Sequence, residues 1–220
     1  MSTRRLMTLT MTGIGAAAML TASLLAGQQT GKPMKDAMSM PADGQMASGM
    51  MMTKAQKIAN AMTAAPSAIS ANATVLDWPA TETAKPEVLR AGNNGWTCFP
   101  DMPTSKGNDP MCVDTMWMKW IDGYFAHKPP VIAHVGIGYM LAPGGAWGSN
   151  TDPFAMTETA TNHWGHHNPH MMILVPDLRS LTGISTDPDN GGPYVMWAGT
   201  PYAHIMAPTS GSEMPIASMR

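Results

Sequence analysis

The sequence predicts an α+β fold: a single domain on a mainly antiparallel sheet of four to six strands, with one packed helix at about 110–122, long loops and one disulfide. Three observations carry this expectation. Short apolar runs without clean alternation recur at 133–137, 169–173, 194–198 and 203–207, as in strands covered on both faces. One stretch, at 113–124, places apolar residues at helical spacing. With 21 Gly, 19 Pro and only 6% aromatic residues, the chain is too rich in turn formers for a helical bundle or coiled coil.

The folded part is expected to begin near Lys54. Residues 54–64 read as a short helix that ends before Pro66, since proline has no N–H to continue the ladder. Residues 73–78, with β-branched and aromatic content, read as a strand. For the main helix, Asp109 suits the N-cap, Pro110 the first helical position and Asp114 the positive end of the dipole, and Gly123 supplies the stop. Val113, Met116, Trp117, Trp120, Ile121 and Tyr124 then share one face, which must pack on a core. The two tryptophans read as core, with a ligand cleft as the alternative. His134, His170 and His204 each stand just before an apolar run that ends near Pro143, Pro176 or Pro208. The runs at 194–198 and 203–207 are joined by Gly199, Thr200 and Pro201, a hairpin signal, and Asp177 caps a further short helix that ends at Gly183.

Composition changes toward the ends. Arg4 and Arg5 precede a charge-free apolar run at 6–26 diluted by Thr, Gly and Ser, the layout of a signal peptide (1–26) cleaved near Ala26. The two arginines also resemble a degenerate twin-arginine signal. Residues 27–53 read as a Met-rich disordered linker, 54–212 as the single globular domain and 213–220 as a flexible C-terminus. A periplasmic or secreted location follows as an expectation, with no stable membrane span after cleavage. Only 13% of residues are charged and the net charge is −2, so no basic surface is available for a phosphate backbone, and nucleic acid is excluded as a partner.

Cys98 and Cys112 are the only cysteines. In an exported chain they are expected to form a disulfide that closes the 99–111 loop onto the first turn of the helix.

Chemistry is expected at the histidines. His163, His166, His167 and His170 fall at i, i+3, i+4 and i+7, but Gly165, Asn168 and Pro169 make the segment a loop rather than a helix. If His170 and His204 open neighbouring strands, their rings are expected to meet at one rim of the sheet, with His134 or one of the loop histidines, His163 or His167 first, completing three ligands. The candidate metal ligands are therefore His163, His167, His170 and His204, and the candidate ions copper or zinc, both of which imidazole suits. The thioethers of Met38, Met40 and Met50 to Met52 favour copper as the softer ion. The plain reading of any one of these histidines is a half-buried residue bonded to the backbone. No G-x-S-x-G, S-x-x-K, P-loop or G-x-G-x-x-G pattern is present, and 187–192 (Asp-Pro-Asp-Asn-Gly-Gly) reads as a turn rather than a calcium loop.

Four stretches carry a resemblance: Asn94-Gly95-Trp96-Thr97-Cys98, Asn108-Asp109-Pro110-Met111-Cys112, the run STDPDNGGPYVMW at 185–197, and Pro201-Tyr202-Ala203-His204-Ile205-Met206. Together they resemble the signature stretches of an uncharacterised family of exported bacterial proteins, over about 70–208. The resemblance implies that this region is one module with the tail as an addition, and it brings no activity, cofactor or catalytic residue. The functional expectation is an exported transition-metal-binding protein. One alternative is a small-molecule or cell-envelope binding module using Trp147 and Trp164 as an aromatic platform, and a further one is a hydrolase whose catalytic residues meet only in three dimensions.

Overall fold

A computed structural model describes residues 52–81 and 84–209; the expected signal peptide (1–26), the expected linker up to Met51 and the 213–220 tail lie outside these residues. The first helix, α1 (Lys54–Met62), starts where Thr53 and Gln56 form a capping box, each side chain accepting the other's backbone N–H. Pro66 then sets the start of α2 (Ser67–Ser70). Ten strands follow: β1 (Thr74–Leu76), β2 (Val88–Arg90), β3 (Thr97–Phe99), β4 (Met111–Val113), β5 (Gly136–Met140), β6 (Ala146–Ser149), β7 (Trp164–His167), β8 (His170–Leu174), β9 (Tyr194–Met196) and β10 (His204–Pro208), with the long helix α3 (Thr115–Phe125) between β4 and β5. A 3-10 turn, Leu178–Leu181, is capped by Asp177, as expected.

Eight strands form one sheet in the order β2-β1-β3-β4-β5-β8-β10-β9, and β6 and β7 form a separate ribbon. Of the pairs in the sheet only β1–β3 is parallel. The α+β class and mainly antiparallel sheet hold, but the sheet is wider than four to six strands. The additional members are three residues long, too short to show a period of two.

The helix prediction needs a correction at both ends. Asp114, not Asp109, is the N-cap: its Oδ1 accepts the N–H groups of Met116 and Trp117, while Oδ2 accepts that of Ile137. Residues 111–113 are drawn into the sheet instead, where Cys112 lies opposite Cys98 and Tyr139. Gly123 falls inside the helix, which runs on to Phe125. The glycine is needed there for space, since a Cβ would lie 3.1 Å from Pro130 Cβ.

Both faces of the sheet are covered. Met116, Trp117, Trp120 and Ile121 of α3 pack over β5 and β8, where Gly136 and Gly138 leave room for the helix; a Cβ on Gly136 would approach Met116 Cβ to 3.1 Å. The other face carries α1 and α2 against Val75, Cys98 and Cys112, and a smaller cluster of Leu181, Val195 and Ala203. Among the described residues no helix is long and apolar enough to cross a membrane.

Cys98 and Cys112 are bonded, and they are direct cross-strand partners in β3 and β4 rather than a link to the helix. The bond fixes the base of the 99–111 loop. Replacing both cysteines by alanine is expected to lower stability by about 2–4 kcal/mol in urea unfolding. Reduction should expose 99–111 to protease before other segments, and an unchanged nicking pattern would contradict that.

Candidate functional site

Alternation along the strands decides which side chains meet. In β8, His170, Met172 and Leu174 are buried on one face, and in β10 His204 and Met206 are buried on the same face. The ribbon brings His167, Trp147 and Trp164 toward this face, and α3 brings Trp117 and Trp120. All of these except Leu174 line one cavity of about 330 Å³, within the range of small-ligand sites.

His167, His170 and His204 are each no more than 3% exposed. Burial, which penalises the charged form, holds the pKa of each down to about 4, so all three rings are neutral at pH 7. The tautomers follow from their partners. His170 Nδ1 lies 2.5 Å from the Asn168 carbonyl and His204 Nδ1 lies 3.0 Å from the Tyr202 carbonyl. A carbonyl only accepts, so both Nδ1 atoms carry the proton and both Nε2 atoms present a lone pair. His167 is the reverse case. Its Nδ1 is 2.7 Å from Tyr194 Oη, and burial raises the pKa of this phenol so that it keeps its proton. A phenol can donate or accept, but the Gly148 carbonyl beside Nε2 only accepts, so the phenol donates to Nδ1 and the hydrogen of His167 is on Nε2. The Gly148 carbonyl approaches this ring without reaching hydrogen-bond geometry.

Five buried side-chain nitrogen or oxygen atoms among the described residues have no hydrogen-bond partner: Nε1 of Trp117 and Trp120, Nε2 of His167 and His170, and Oδ1 of Asn150. Four of the five belong to residues lining this cavity. The His204 ring is set edge-on among Trp117, Trp120 and Trp197, with centroids 5.1–5.8 Å apart and planes at 79–82°. The sequence posed core and cleft as alternatives for Trp117 and Trp120. They are both, since each is at most 5% exposed and each lines the cavity.

The expected meeting of His170 and His204 at one rim does not occur. Each opens its strand, but β8 and β10 are antiparallel, so opening residues fall at opposite ends. Ile205 pairs with Ile173, which sets His204 beside Leu174, four residues from His170 or about 14 Å along the sheet. His163 is exposed, has a φ of 45°, and lines a different cleft with Asn150 and Thr186. The 163–170 segment is not a loop: β7 ends at His167, and Asn168 and Pro169 turn the corner from the ribbon into β8. Accordingly, among the described residues no group of three or more His, Cys, Asp or Glu side chains is placed to hold one metal ion. Of the four candidate ligands, the structure brings His167, His170 and His204 to one cavity without making them a triad.

The 99–111 loop supplies part of the cavity's lip through Met102, Ser105, Lys106 and Asp109, and Lys106 Nζ sits 3.8 Å over the Trp147 ring. Asp109 N–H donates to Asp101 Oδ1 at 2.8 Å, and Asp109 Oδ1 accepts from Met102 N and Ser105 Oγ. Burial, reinforced by the neighbouring Asp109 carboxyl, raises Asp101 to about 7. Ser149 also lines the cavity, but its hydroxyl donates to Asn162 O and accepts from Thr151 N and Asp152 N, which occupies it structurally.

Sequence reasoning missed Met140, Met172, Met196 and Met206, which join the histidines in this lining. A signal was present: His170-Met171-Met172 and His204-Ile205-Met206 repeat a His-x-Met spacing, and on a strand i and i+2 share a face. Compared with protein-family models, curated proteins and solved structures, the chain matches none.

Proposed function

We propose that this is an exported binding protein that encloses a small ligand in the cavity between the β8–β10–β9 face, α3 and the β6–β7 ribbon. One observation carries the reading: four buried polar atoms without partners belong to residues lining this single space, whereas buried polar atoms are ordinarily paired. The unpartnered N–H groups of Trp117, Trp120 and His167 and the unpartnered Nε2 of His170 thus belong to side chains of one wall, which is mostly Trp and Met with Ser105, Lys106, Asp109 and Asp152 as its polar part. That is the pattern of a site which encloses a ligand and orients it by a few polar contacts. Trp147 and Trp164 contribute to the wall as the platform alternative envisaged. The disulfide supports an oxidising compartment and so supports export. A serine hydrolase is less well supported, because the hydroxyl of Ser149, which lines the cavity, is already committed to Asn162, Thr151 and Asp152.

Gly148 gives a clean test. A Cβ there would meet only Met196 Cε at 3.9 Å and His167 Nε2 at 4.0 Å, ordinary contacts at the edge of open space. Gly148→Leu is therefore expected to fill the cavity while the fold persists. Protein isolated from its native compartment should release a bound species in denaturing but not native mass spectrometry, and Gly148→Leu should release none. A wild-type chain that carries nothing and shows no thermal shift across a broad ligand and metal panel would defeat the reading.

A further inference from the structure

The register of the sheet pairs each cavity histidine with a methionine. Met140 lies opposite His170, Met196 lies opposite His204, and Met172 lies opposite Met206 between them. All six line the cavity. Each histidine thus has one thioether across the strand, where Cβ atoms are about 5 Å apart, and a second at i+2 on the same face. Methionine in a core is ordinarily packing material. The histidines separate this face from an ordinary core: both Nδ1–H groups are tied to main-chain carbonyls, the arrangement that metal-ligating histidines commonly show. The Nε2 lone pair of His170 is buried with no partner.

We propose that this face is a soft-metal site that binds copper(I) at two positions, one held by His170 Nε2 with the thioethers of Met140 and Met172, the other by His204 Nε2 with those of Met196 and Met206. The inference rests on the reading of the cavity as a binding site and names the class of ligand. It replaces the histidine-only centre expected from the sequence, which the antiparallel register pulls apart. His167 is outside both sets, because its Nε2 carries the proton. Thioether and imidazole donors without thiolate or carboxylate select a monovalent soft ion, whereas zinc sites draw on Cys, His and carboxylate, and no three such groups converge among the described residues. Methionine's three rotatable bonds let the sulfurs close on an ion without moving the strands.

Silver(I) is the suitable probe, since it shares the ligand preference and needs no reductant that would open the Cys98–Cys112 bond. The full chain should be titrated anaerobically with silver(I), and separately with copper(I) supplied as its acetonitrile complex, and the bound ions counted by native mass spectrometry. The Met-rich linker is common to all variants, so the readout is a difference. Met140→Leu plus Met172→Leu should bind one ion fewer than wild type, Met196→Leu plus Met206→Leu one fewer, and the four-leucine variant two fewer. Leucine conserves volume, and circular dichroism checks the fold. X-ray absorption on the copper-loaded wild type should show mixed sulfur and nitrogen ligation that loses its nitrogen component in His170→Phe plus His204→Phe, an arm that does not depend on the leucine variants. Equal ion counts in wild type and the four-leucine variant, or ligation by sulfur alone, would overturn the proposal. If that happens while the isolated protein still releases an organic molecule, the cavity reading survives without the metal; if neither is found, both fall.

Discussion

Acidification from pH 7 to pH 5 is expected to weaken the fold by several kcal/mol, with the urea midpoint falling steadily across the interval. The cause is the burial of three neutral imidazoles. In the unfolded chain histidine takes up its proton near pH 6.5, whereas in the fold burial delays this to about pH 4 for His167, His170 and His204. Below pH 6.5 the unfolded state therefore holds protons that the folded state refuses. The stability is present above pH 6.5 and is lost as pH falls toward 4, by about 2 kcal/mol per ring at pH 5. Asp101 acts with the opposite sign. Its folded value of about 7 lies above the unfolded 3.8, so its contribution is present at low pH and is lost as pH rises through 7. It is partly exposed and single, so solvent screening leaves the three imidazoles dominant. Stability should rise up to about pH 7 and level off above it. His204→Phe, which removes one of the three titrations, should make the acid limb shallower. Equal stability at pH 7 and pH 5 would show that these rings are not buried as neutral groups.

Gly145→Ala is expected to have a comparable effect by a different route. Gly145 has a φ of 59°, and a Cβ there would stand 2.3 Å from the His167 carbonyl oxygen and 2.6 Å from His166 Nε2. The obstacle at His167 is backbone, and His166 is already tied through Nε2 to the Gly144 carbonyl at 2.8 Å, so neither yields by a simple rotation. The left-handed conformation and the overlap together should lower stability by roughly 3 kcal/mol. The ribbon must shift to relieve the contact, and Ala146 is paired with His167, so His167 leaves its place at the cavity. Ligand retention should be lost along with stability. Gly165, on the same ribbon and opposite Gly148, has nothing within 4 Å of where a Cβ would stand, so Gly165→Ala should leave both properties unchanged. If the two alanine variants behave alike, the close approach at Gly145 is not what holds the ribbon.

The apolar runs after His170 and His204 were readable as strands, and so was the hairpin that leads into the second. What local pattern does not carry is strand direction. Two histidines at the starts of neighbouring strands meet at one rim if the strands are parallel and stand at opposite ends if they are antiparallel, and only the pairing of Ile205 with Ile173 decides between these. The same pairing made the methionines part of the site, although the His-x-Met spacing in both segments was open to view. Asp109-Pro110 satisfied every local rule for a helix start, yet Cys112 is held in the sheet by Cys98, and the better-placed carboxylate of Asp114 captures the helix instead. At 163–170 Asn168 and Pro169 signalled a break correctly, but the break is a corner of two residues between strands, and Gly165 lies inside β7.

The proposed site requires unprotonated Nε2 atoms on His170 and His204. A long-range proton–nitrogen correlation spectrum of the histidine rings measures this directly. It should show, for these two residues, a protonated Nδ1 and an unprotonated Nε2 from pH 7 down to pH 5. A proton on either Nε2, or rings already charged at pH 6, would contradict it.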